Sequence, residues 1–206
     1  MKAQKTNLQD VYVITTPRYE DERGFFIESF SSQRFNDAIG ADIEFVQDNH
    51  SKSSKGVLRG LHYQKEQPQG KLIRCTQGAV YDVVVDLRKS SNTFGKWFGI
   101  ELNENNKMVW IPVGFAHAFY TLSDYAEFEY KCTDYYHPES METLMWNDPQ
   151  IGIDWPLDGE PILSDKDQVG KSFSDCHKYW YYKNLSGSSH GEEWVNVDDH
   201  GNLVGY

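Results

Sequence analysis

Cysteine is scarce in this sequence of 206 residues: Cys75, Cys132 and Cys176 are the only three, and they form no CxxC pair. Their odd number leaves at least one thiol without an intramolecular partner, which favours a reducing, cytoplasmic location over a disulfide-paired scaffold. Long apolar runs are absent as well. None approaches the roughly 20 residues that a membrane-spanning helix needs, and the first ten residues contain no apolar signal segment. We therefore expect a cytoplasmic protein with no membrane partner.

Basic residues are also in the minority, with 20 Lys and Arg against 31 Asp and Glu and a formal net charge of -11. As a whole, such a chain repels nucleic acid backbones and anionic membranes. A small anion can still bind where a few Arg and Lys side chains converge, because local donors act at contact distance. The charge balance therefore predicts no nucleic acid partner but leaves a nucleotide ligand open.

Aromatic residues, in contrast, are abundant and make up 15% of the chain. Short apolar, β-branched and aromatic runs follow one another from Val11 to Met145, a pattern typical of strands at hairpin spacing. The runs are VYVITT, GFFIESF, IEFVQD, VLRGLHYQ, KLIRC, AVYDVVVDL, KWFGIEL, MVWIP, AFYTL, EFEYKC and TLMW. One helix is predicted, with Ser31 or Ser32 as its N-cap and Gly40 as its end. The sequence thus predicts an all-β, antiparallel fold, and propensity alone leaves sandwich, jelly roll and barrel open.

The composition changes near Val169, where we place a domain boundary. Residues 1–169 are expected to form one domain around a single core. Residues 170–206 form a predicted C-terminal extension with an aromatic segment, KYWYYKN, a Gly- and Ser-rich stretch, and a hairpin around an Asp-His-Gly turn. We expect the aromatic segment to pack on the first domain or on a partner, because so much apolar area rarely stays solvated.

The segment GVLRGLHYQ places Arg59 and His62 on one predicted strand. Taken singly, a strand histidine is more often a structural residue than a base, and a strand arginine is more often a surface charge. A catalytic metal commonly needs three protein ligands, yet the His-x-His pair of metal-binding jelly rolls is missing, and only His62 and His117 remain as candidates. We therefore expect no bound metal.

A set of long motifs in a fixed order runs from Val11 to Asp167. They are DERGFFIESF, FVQDNHSKS, GVLRGLHYQ, QGKLIRC, GAVYDVVVDLR, TFGKW, WIPVGFAHAF, YAEFEYKCTDYY, WNDPQIGIDWP and LSDKD. Together they resemble the dTDP-4-dehydrorhamnose 3,5-epimerase family. The resemblance implies a cupin-like β jelly roll with a few short helices, a homodimer, no cofactor and a dTDP-4-keto-6-deoxy sugar as substrate. It also implies an isomerase that inverts C3 and C5 of dTDP-4-dehydro-6-deoxy-D-glucose in dTDP-L-rhamnose synthesis.

The resemblance implies four catalytic residues whose chemistry suits this reaction. Both carbons flank the C4 ketone, so each proton can leave to give an enolate. The reaction then needs a base, a donor to the C4 oxygen and an acid on the opposite face of the ring. His62 is implied as the base, Lys71 as the donor and Tyr130 as the acid. Asp167 is implied to orient His62 and to stabilise its imidazolium form.

The same resemblance implies substrate contacts of the types that a nucleotide sugar needs: arginine forks for the diphosphate, carboxylates and amides for hydroxyls, and aromatic faces for thymine. The implied residues are Tyr19, Arg23, Glu28, Gln47, Asp48, Asn49, Arg59, His117, Tyr135 and Lys166. One position departs from the family, which commonly has a Glu five residues before the Trp of WND, where this chain has Met141. Glu139 and Glu142 flank it and are candidates to take its place.

Two other functions stay open. An enzyme that inverts only one carbon, C3 or C5, of a related dTDP sugar would use the same base, donor and acid. A non-catalytic jelly roll that binds sugar nucleotides would keep the pocket alone, and the complete set of acid and base residues argues against it.

Two structural predictions follow from the motifs. Strict alternation places Arg59 and His62 on opposite faces of their strand, yet the resemblance uses both in one site, so we predict a β-bulge at Gly60. GFFIESF would leave an aromatic edge exposed, so we predict that the subunits of a homodimer exchange N-terminal strands. Arg23 or Glu28 would then reach the partner's cavity.

Overall fold

Antiparallel strands dominate the computed structural model, which describes residues 1–104 and 106–179. The strands are β1 (Lys2–Lys5), β2 (Tyr12–Thr15), β3 (Arg18–Asp21), β4 (Gly24–Ile27), β5 (Gln47–Ser54), β6 (Leu58–Gln64), β7 (Lys71–Gln77), β8 (Ala79–Asp86), β9 (Trp97–Asn103), β10 (Lys107–Ile111), β11 (Phe115–Thr121), β12 (Tyr125–Cys132) and β13 (Met141–Thr143). The helices are α1 (Ser32–Ile39), a 3-10 turn (Pro138–Ser140) and α2 (Asp165–Gln168).

The strands form two main sheets and one hairpin. The six-stranded sheet has the order β1-β2-β10-β7-β12-β5, and the five-stranded sheet has the order β13-β6-β11-β8-β9. β3 and β4 pair only with each other. Most neighbours in each sheet are distant in sequence, because the chain passes repeatedly from one sheet to the other. The topology confirms the predicted all-β jelly roll with a few short helices.

The main core lies between the two sheets. Ile73 and Phe128 of the six-stranded sheet meet Val84 and Phe119 of the five-stranded sheet. The rings of Phe119 and Phe128 stack with their centroids 4.5 Å apart. Burial of one such side chain contributes roughly 2 kcal/mol to folding. Tyr130 packs at the margin of this core, two residues along β12 from Phe128 and therefore on the same face of the strand.

Helix α1 covers the outer face of the six-stranded sheet, and its predicted ends are confirmed. The Ser31 hydroxyl caps the first turn by accepting from the backbone N–H of Arg34, and Gly40 ends the helix in the left-handed conformation. The buried Phe35 packs edge-on against Trp110 of β10, with centroids 5.4 Å apart. No helix in the described ranges is both long and apolar enough to cross a membrane.

The β3–β4 hairpin leaves three large aromatic side chains in solvent. Tyr19 is 63% exposed, Phe25 is 58% exposed and Phe26 is 66% exposed. A two-stranded hairpin is only marginally stable by itself in water, and this one exposes a large apolar area. It therefore needs further packing to be stable.

The predicted irregularity at Gly60 is confirmed. On β11, His117 pairs with His62 and Phe119 pairs with Arg59, so three steps along β6 match two steps along β11. The extra residue turns Arg59 and His62 to the same side of the sheet. Gly60 has a φ of 118°, and a Cβ there would lie 2.5 Å from the backbone oxygen of His117, so both the conformation and the close approach require glycine.

The chain beyond the predicted boundary at Val169 continues to pack on the jelly roll. The backbone N–H of Lys171 donates to Thr143 at 2.8 Å, and Phe173 and Tyr179 are buried in a second core cluster beside Leu61 of β6. The three cysteines of the chain are buried and form no disulfide. The rest of the aromatic segment and the predicted hairpin lie in residues 180–206, outside the described ranges.

Candidate active site

The two sheets enclose a cavity of about 350 Å³ that receives side chains from facing walls. β6 and β11 supply one wall, and β5, β7 and β12 supply the other. The lining residues are Gln47, Asn49, Ser51, Arg59, His62, Gln69, Lys71, His117, Phe119, Phe128, Tyr130, Tyr136, Met141 and Lys166. Most of the residues predicted to form the site belong to this lining.

His62 and Asp167 form a hydrogen-bonded pair at the cavity. Nε2 of His62 lies 2.5 Å from Oδ1 of Asp167, and the other carboxylate oxygen accepts from the Ser164 hydroxyl at 2.7 Å. Ser164 precedes α2, whose single turn holds Asp167 behind the imidazole with only 2% exposure. Because an ionised carboxylate can only accept, Nε2 carries the proton of the neutral ring. Nδ1 is then the nitrogen that can accept a proton from a ligand.

The surroundings of this pair keep His62 in its basic form. Burial lowers the pKa of His62 below its ordinary value, and the nearby charges of Lys166 and Lys71 act in the same direction, although Asp167 opposes them. Burial alone would raise the pKa of Asp167, but the hydrogen bonds from His62 and Ser164 outweigh it and leave this pKa below its usual value. At neutral pH the pair is therefore a neutral imidazole beside a carboxylate.

Lys71 begins β7 and brings an ammonium group to the wall opposite His62. Its Nζ lies 5.8 Å from the centroid of the Tyr130 ring. Within residues 1–104 and 106–179 it makes no hydrogen bond or ion pair, so its three donors are available to a ligand. Burial lowers the pKa of Lys71, while the thiol of Cys132 and the carboxylate of Asp82 oppose that shift. A buried, uncommitted donor of this kind can stabilise charge that develops on a ligand oxygen.

Tyr130 lies on β12, across the cavity from β6. Its ring packs on Phe128 with centroids 6.2 Å apart, which fixes where the hydroxyl points. Burial raises the pKa of Tyr130, so the phenol stays protonated at neutral pH. The cavity therefore has a proton acceptor on one wall and a proton donor on the other.

A second histidine–aspartate pair lies beside the first, and only its histidine was predicted. Nε2 of His117 lies 2.7 Å from Oδ2 of Asp82, and His117 is paired in register with His62 across β6 and β11. Burial raises the pKa of Asp82, and the charges of His117 and Lys71 oppose this. Asp82 sits within the apolar-looking run AVYDVVVDL. A charged residue that is buried has to be paired. Its occurrence inside such a run is therefore a signal that sequence reasoning could have used.

β5 divides the predicted VQDN residues between its two faces. Gln47 and Asn49 line the cavity, whereas Asp48 points outward and pairs with Lys131 at 3.0 Å. Alternation along the strand requires this division. On the outer face of the sheet, Asp48 and Lys131 line a separate depression of about 480 Å³, where charged side chains pair with one another. Arg59, by contrast, reaches the cavity and is held by a 2.9 Å hydrogen bond from its Nε to the Ser53 hydroxyl.

Besides Asp48, four predicted binding residues do not line this cavity within their own chain. Arg23 pairs with Asp21, and Glu28 pairs with Arg34 at 3.1 Å. Tyr19 lies on the exposed hairpin, and Tyr135 is 61% exposed. Tyr136, the neighbour of Tyr135, lines the cavity instead.

Neither glutamate takes the place of Met141. Met141 itself lines the cavity, and the Lys166 ammonium lies 3.7 Å from its sulfur. Glu142 points to the other side of β13, where Tyr63 donates to it at 2.6 Å and Lys171 pairs with it at 2.6 Å. Burial would raise the pKa of Glu142, but these partners lower it to about 2. Glu139 is 76% exposed and lies 3.8 Å from a histidine outside the cavity lining, His137.

The described residues contain no group of three or more His, Cys, Asp and Glu side chains arranged to hold a metal ion. Instead, a neutral imidazole, a phenol and cations surround the cavity. Such a set can remove a proton from carbon next to a carbonyl, stabilise the resulting oxyanion and return a proton from the opposite side. The fold and the site thus define a jelly-roll protein whose cavity is suited to acid–base chemistry on an anionic small molecule.

Comparison with known proteins identifies the family. A sequence model described as dTDP-4-dehydrorhamnose 3,5-epimerase matches residues 5–175. The dTDP-4-dehydrorhamnose 3,5-epimerase of Pseudomonas aeruginosa is 53% identical over 177 residues, which cover 85% of this chain and 98% of that protein. The chain belongs to the dTDP-4-dehydrorhamnose 3,5-epimerase family.

Two solved structures show how far the similarity extends. The dTDP-6-deoxy-D-glucose-3,5-epimerase of Legionella pneumophila in complex with dTDP-4-keto-L-rhamnose has a TM-score of 0.83 and 50% identity, covering 85% of this chain and 94% of that chain. A 3'-monoepimerase of Streptomyces bikiniensis in complex with dTDP-quinovose has a TM-score of 0.77 and 34% identity, covering 82% of this chain and 86% of that chain.

Proposed function

We propose that this enzyme inverts C3 and C5 of dTDP-4-dehydro-6-deoxy-D-glucose, as a 3,5-epimerase of dTDP-L-rhamnose synthesis. The observation that carries the proposal is the position of His62 and Tyr130 on strands of opposite sheets, with Lys71 beside Tyr130. A sugar ring between the two walls would present one face to a base and the other face to an acid. Inversion requires this arrangement, whereas simple binding does not.

In the proposed reaction, Nδ1 of His62 takes the proton from C3 or C5. The electrons of the broken C–H bond form a double bond between that carbon and C4, and the C4 ketone becomes an enolate. Lys71 donates to the enolate oxygen, where the negative charge collects. The Tyr130 hydroxyl then gives its proton to the same carbon from the opposite face. His62 ends with one proton more and Tyr130 with one fewer, and exchange with solvent restores both groups before the second carbon reacts.

The charges of the cavity support a nucleoside diphosphate sugar as the ligand. Arg59, Lys71 and Lys166 all line it, in a chain whose formal net charge is -11. A local concentration of cations in an acidic protein favours a multiply charged anion at that place. The solved relative from Legionella pneumophila is described in complex with a dTDP-keto sugar, which agrees with this substrate class.

Proton NMR of the substrate with enzyme in deuterated water tests the proposal, with a rhamnose-forming reductase present to draw the reaction forward. Deuterium should enter at both C3 and C5. Absence of deuterium from both carbons, in a protein that binds dTDP, would instead indicate a non-catalytic binding protein.

Epimerisation of a single carbon, C3 or C5, of a related dTDP-4-keto-6-deoxy sugar is the second candidate. Its support is the similarity to the 3'-monoepimerase of Streptomyces bikiniensis, which extends over most of the chain. Such an enzyme needs the same base, donor and acid, so these residues do not separate the two. Deuterium at one carbon alone would favour this candidate over the first.

We further propose a cytoplasmic homodimer in which the β3–β4 hairpin reaches the partner subunit. The exposed aromatic side chains of the hairpin support this, and so does the distance of Arg23 and Glu28 from the cavity of their own chain. Light scattering should give the mass of two chains of 23.9 kDa each. The mass of a single chain at micromolar concentration would contradict the proposal.

A further inference from the structure

Gln64 ends β6, two residues beyond His62, and its buried side chain binds two loops of the chain. Its Nε2 donates to the backbone oxygen of Gln67 at 2.7 Å and to that of Tyr135 at 3.2 Å. Its Oε1 accepts from the backbone N–H of His137 at 3.0 Å. Both donors and the acceptor oxygen of this amide are therefore engaged at a residue that is only 3% exposed, where water does not compete for them.

The residue between the last two contacts is Tyr136, which lines the cavity. Gln64 binds the carbonyl oxygen of the peptide group before Tyr136 and the N–H of the peptide group after it. From the other sheet, Oε1 of Gln47 accepts from the backbone N–H of Tyr136 at 3.0 Å. Each peptide group is planar, so fixing the two groups around one Cα leaves its φ and ψ little freedom. Two glutamine side chains, one from each sheet, therefore set the direction in which the Tyr136 ring leaves the backbone.

The Tyr136 side chain depends on this hold. It is 52% exposed, and its hydroxyl lies 4.0 Å from Sδ of Met141, a weak acceptor that does little to fix the ring. The ring offers a ligand an aromatic face and a polar tip. It also lies near the proposed acid, because burial raises the pKa of Tyr130 and Tyr136 adds a smaller contribution in the same direction. The place of this ring in the cavity is thus set mainly through its backbone.

We propose that Gln64 is a positioning residue whose amide holds Tyr136 where the ring contacts a nucleotide sugar in the cavity. This inference rests on the proposed function, because the nucleotide sugar is the proposed substrate. Without the amide, the loop gains conformations in which the ring points away, and apparent affinity falls with the fraction of molecules that stay competent. His62, Lys71 and Tyr130 belong to strands and keep their places. The loss should therefore appear in KM more than in kcat.

The test compares Gln64→Met, which keeps the length of the side chain but removes the amide, with Ser140→Ala. Ser140 is also buried, and its hydroxyl lies 3.0 Å from the backbone oxygen of Glu66 and 3.3 Å from that of His137. Its loss loosens the same two loops without touching the peptide groups that flank Tyr136. Urea unfolding compares the stability of the two variants.

Steady-state kinetics with dTDP-4-dehydro-6-deoxy-D-glucose and a rhamnose-forming reductase should separate these variants. Gln64→Met should raise KM about tenfold and change kcat by less than about threefold. Ser140→Ala should leave both constants near those of the unmodified enzyme, even where it lowers stability as much. If Gln64→Met does not fold, Gln64→Glu takes its place with the same expectation, because it keeps an acceptor for His137 but has no donors when ionised.

A Tyr136→Ala background isolates the mechanism. If Gln64 acts through Tyr136, replacing Gln64 should raise KM at least severalfold less in this background than in the unmodified enzyme. An equal rise of KM in both backgrounds would overturn the inference while leaving the proposed function intact. So would an unchanged KM, a loss confined to kcat, or an equal rise of KM in Ser140→Ala. An unmodified enzyme that leaves the substrate unchanged would instead overturn the proposed function and this inference with it.

Discussion

Asp167 holds His62 through a hydrogen bond of 2.5 Å to Nε2 while its other oxygen is held by Ser164. Ser164 therefore fixes the orientation of the carboxylate, and the carboxylate in turn fixes the orientation of the imidazole. Because Asp167 is buried, water does not compete for either contact. This relationship makes the tautomer of His62 a property of the fold, and it can be tested by changing the carboxylate alone.

Replacement of Asp167 by Asn should lower kcat by about 100- to 10,000-fold, as is typical when a positioned acid–base group is impaired. The amide can donate to Nε2, which moves the ring proton to Nδ1 and leaves the wrong nitrogen facing the ligand. The carboxylate also raises the pKa of His62, so its loss should move the acidic limb of the pH profile to lower pH. Ser164→Ala, which keeps the carboxylate, is the matched control and should lose far less. An acidic limb that moves to higher pH in Asp167→Asn would contradict this account.

His62 and Tyr130 should fail in different ways, because one removes the proton and the other returns it. His62→Ala leaves no base, so substrate protons should not exchange with deuterated solvent, and activity should fall by orders of magnitude. Tyr130→Phe keeps the base and Lys71, so the enolate should form and be reprotonated from the face that it left. Exchange should then outrun inversion, as measured by NMR. Equally complete loss of exchange in both variants, each folded and able to bind dTDP, would refute this division of labour.

The sequence predicted the strands well where an apolar run coincides with nearly a whole strand, as in β8 and β9. It missed β1 and β3, whose mostly polar residues lie at a sheet edge and in the exposed hairpin. In IEFVQD only the last two residues begin a strand. Phe45 earlier in that run packs against Phe35 of α1 instead, with ring centroids 5.5 Å apart. An apolar run indicates that its residues are buried, but it does not distinguish burial under a helix from burial within a sheet.

The site residues that belong to sequence motifs could be predicted from the sequence. The contacts that form between distant parts of the fold could not. His62, Lys71 and Tyr130 meet at one cavity, and Asp167 stands directly behind His62. Asp82 was missed because its partner, His117, comes from another strand 35 residues away. The catalytic and binding roles of these residues stay predictions until the variants are measured.

Gly60→Ala should destabilise the fold more than Gly56→Ala, although both glycines have positive φ. At Gly56 a Cβ meets nothing within 4 Å, so alanine there costs only the backbone strain, about 1 kcal/mol. At Gly60 the Cβ would lie 2.5 Å from the His117 backbone oxygen and 2.6 Å from the Ala118 side chain. We expect the free energy of unfolding, measured with urea, to fall at least twice as far as in the Gly56 variant. Similar losses in the two variants would show that the close approach of β6 and β11 does not matter.

Two inactive variants should restore activity to each other if the hairpin of one subunit completes the cavity of its partner. Arg23 does not reach the cavity of its own chain, whereas His62 lines it. In a mixed dimer of Arg23→Ala and His62→Ala chains, the cavity with an intact His62 receives an intact Arg23 from the other chain. Random mixing makes half of the dimers mixed, each with one complete site, so activity should recover to about a quarter of the unmodified level.

The control mixes His62→Ala with Lys71→Gln chains, whose defects both lie in the cavity of the chain that carries them. Each cavity of a mixed dimer then keeps one defect, so activity should stay near that of the separate variants. Subunits exchanged by co-expression with two different affinity tags allow the mixed dimer to be purified and assayed alone. Arg23→Ala alone should be strongly impaired. If the mixed dimer of the Arg23 and His62 variants then recovers no more activity than this control pair, Arg23 acts in its own chain, and the proposal that the hairpin reaches the partner's cavity is wrong.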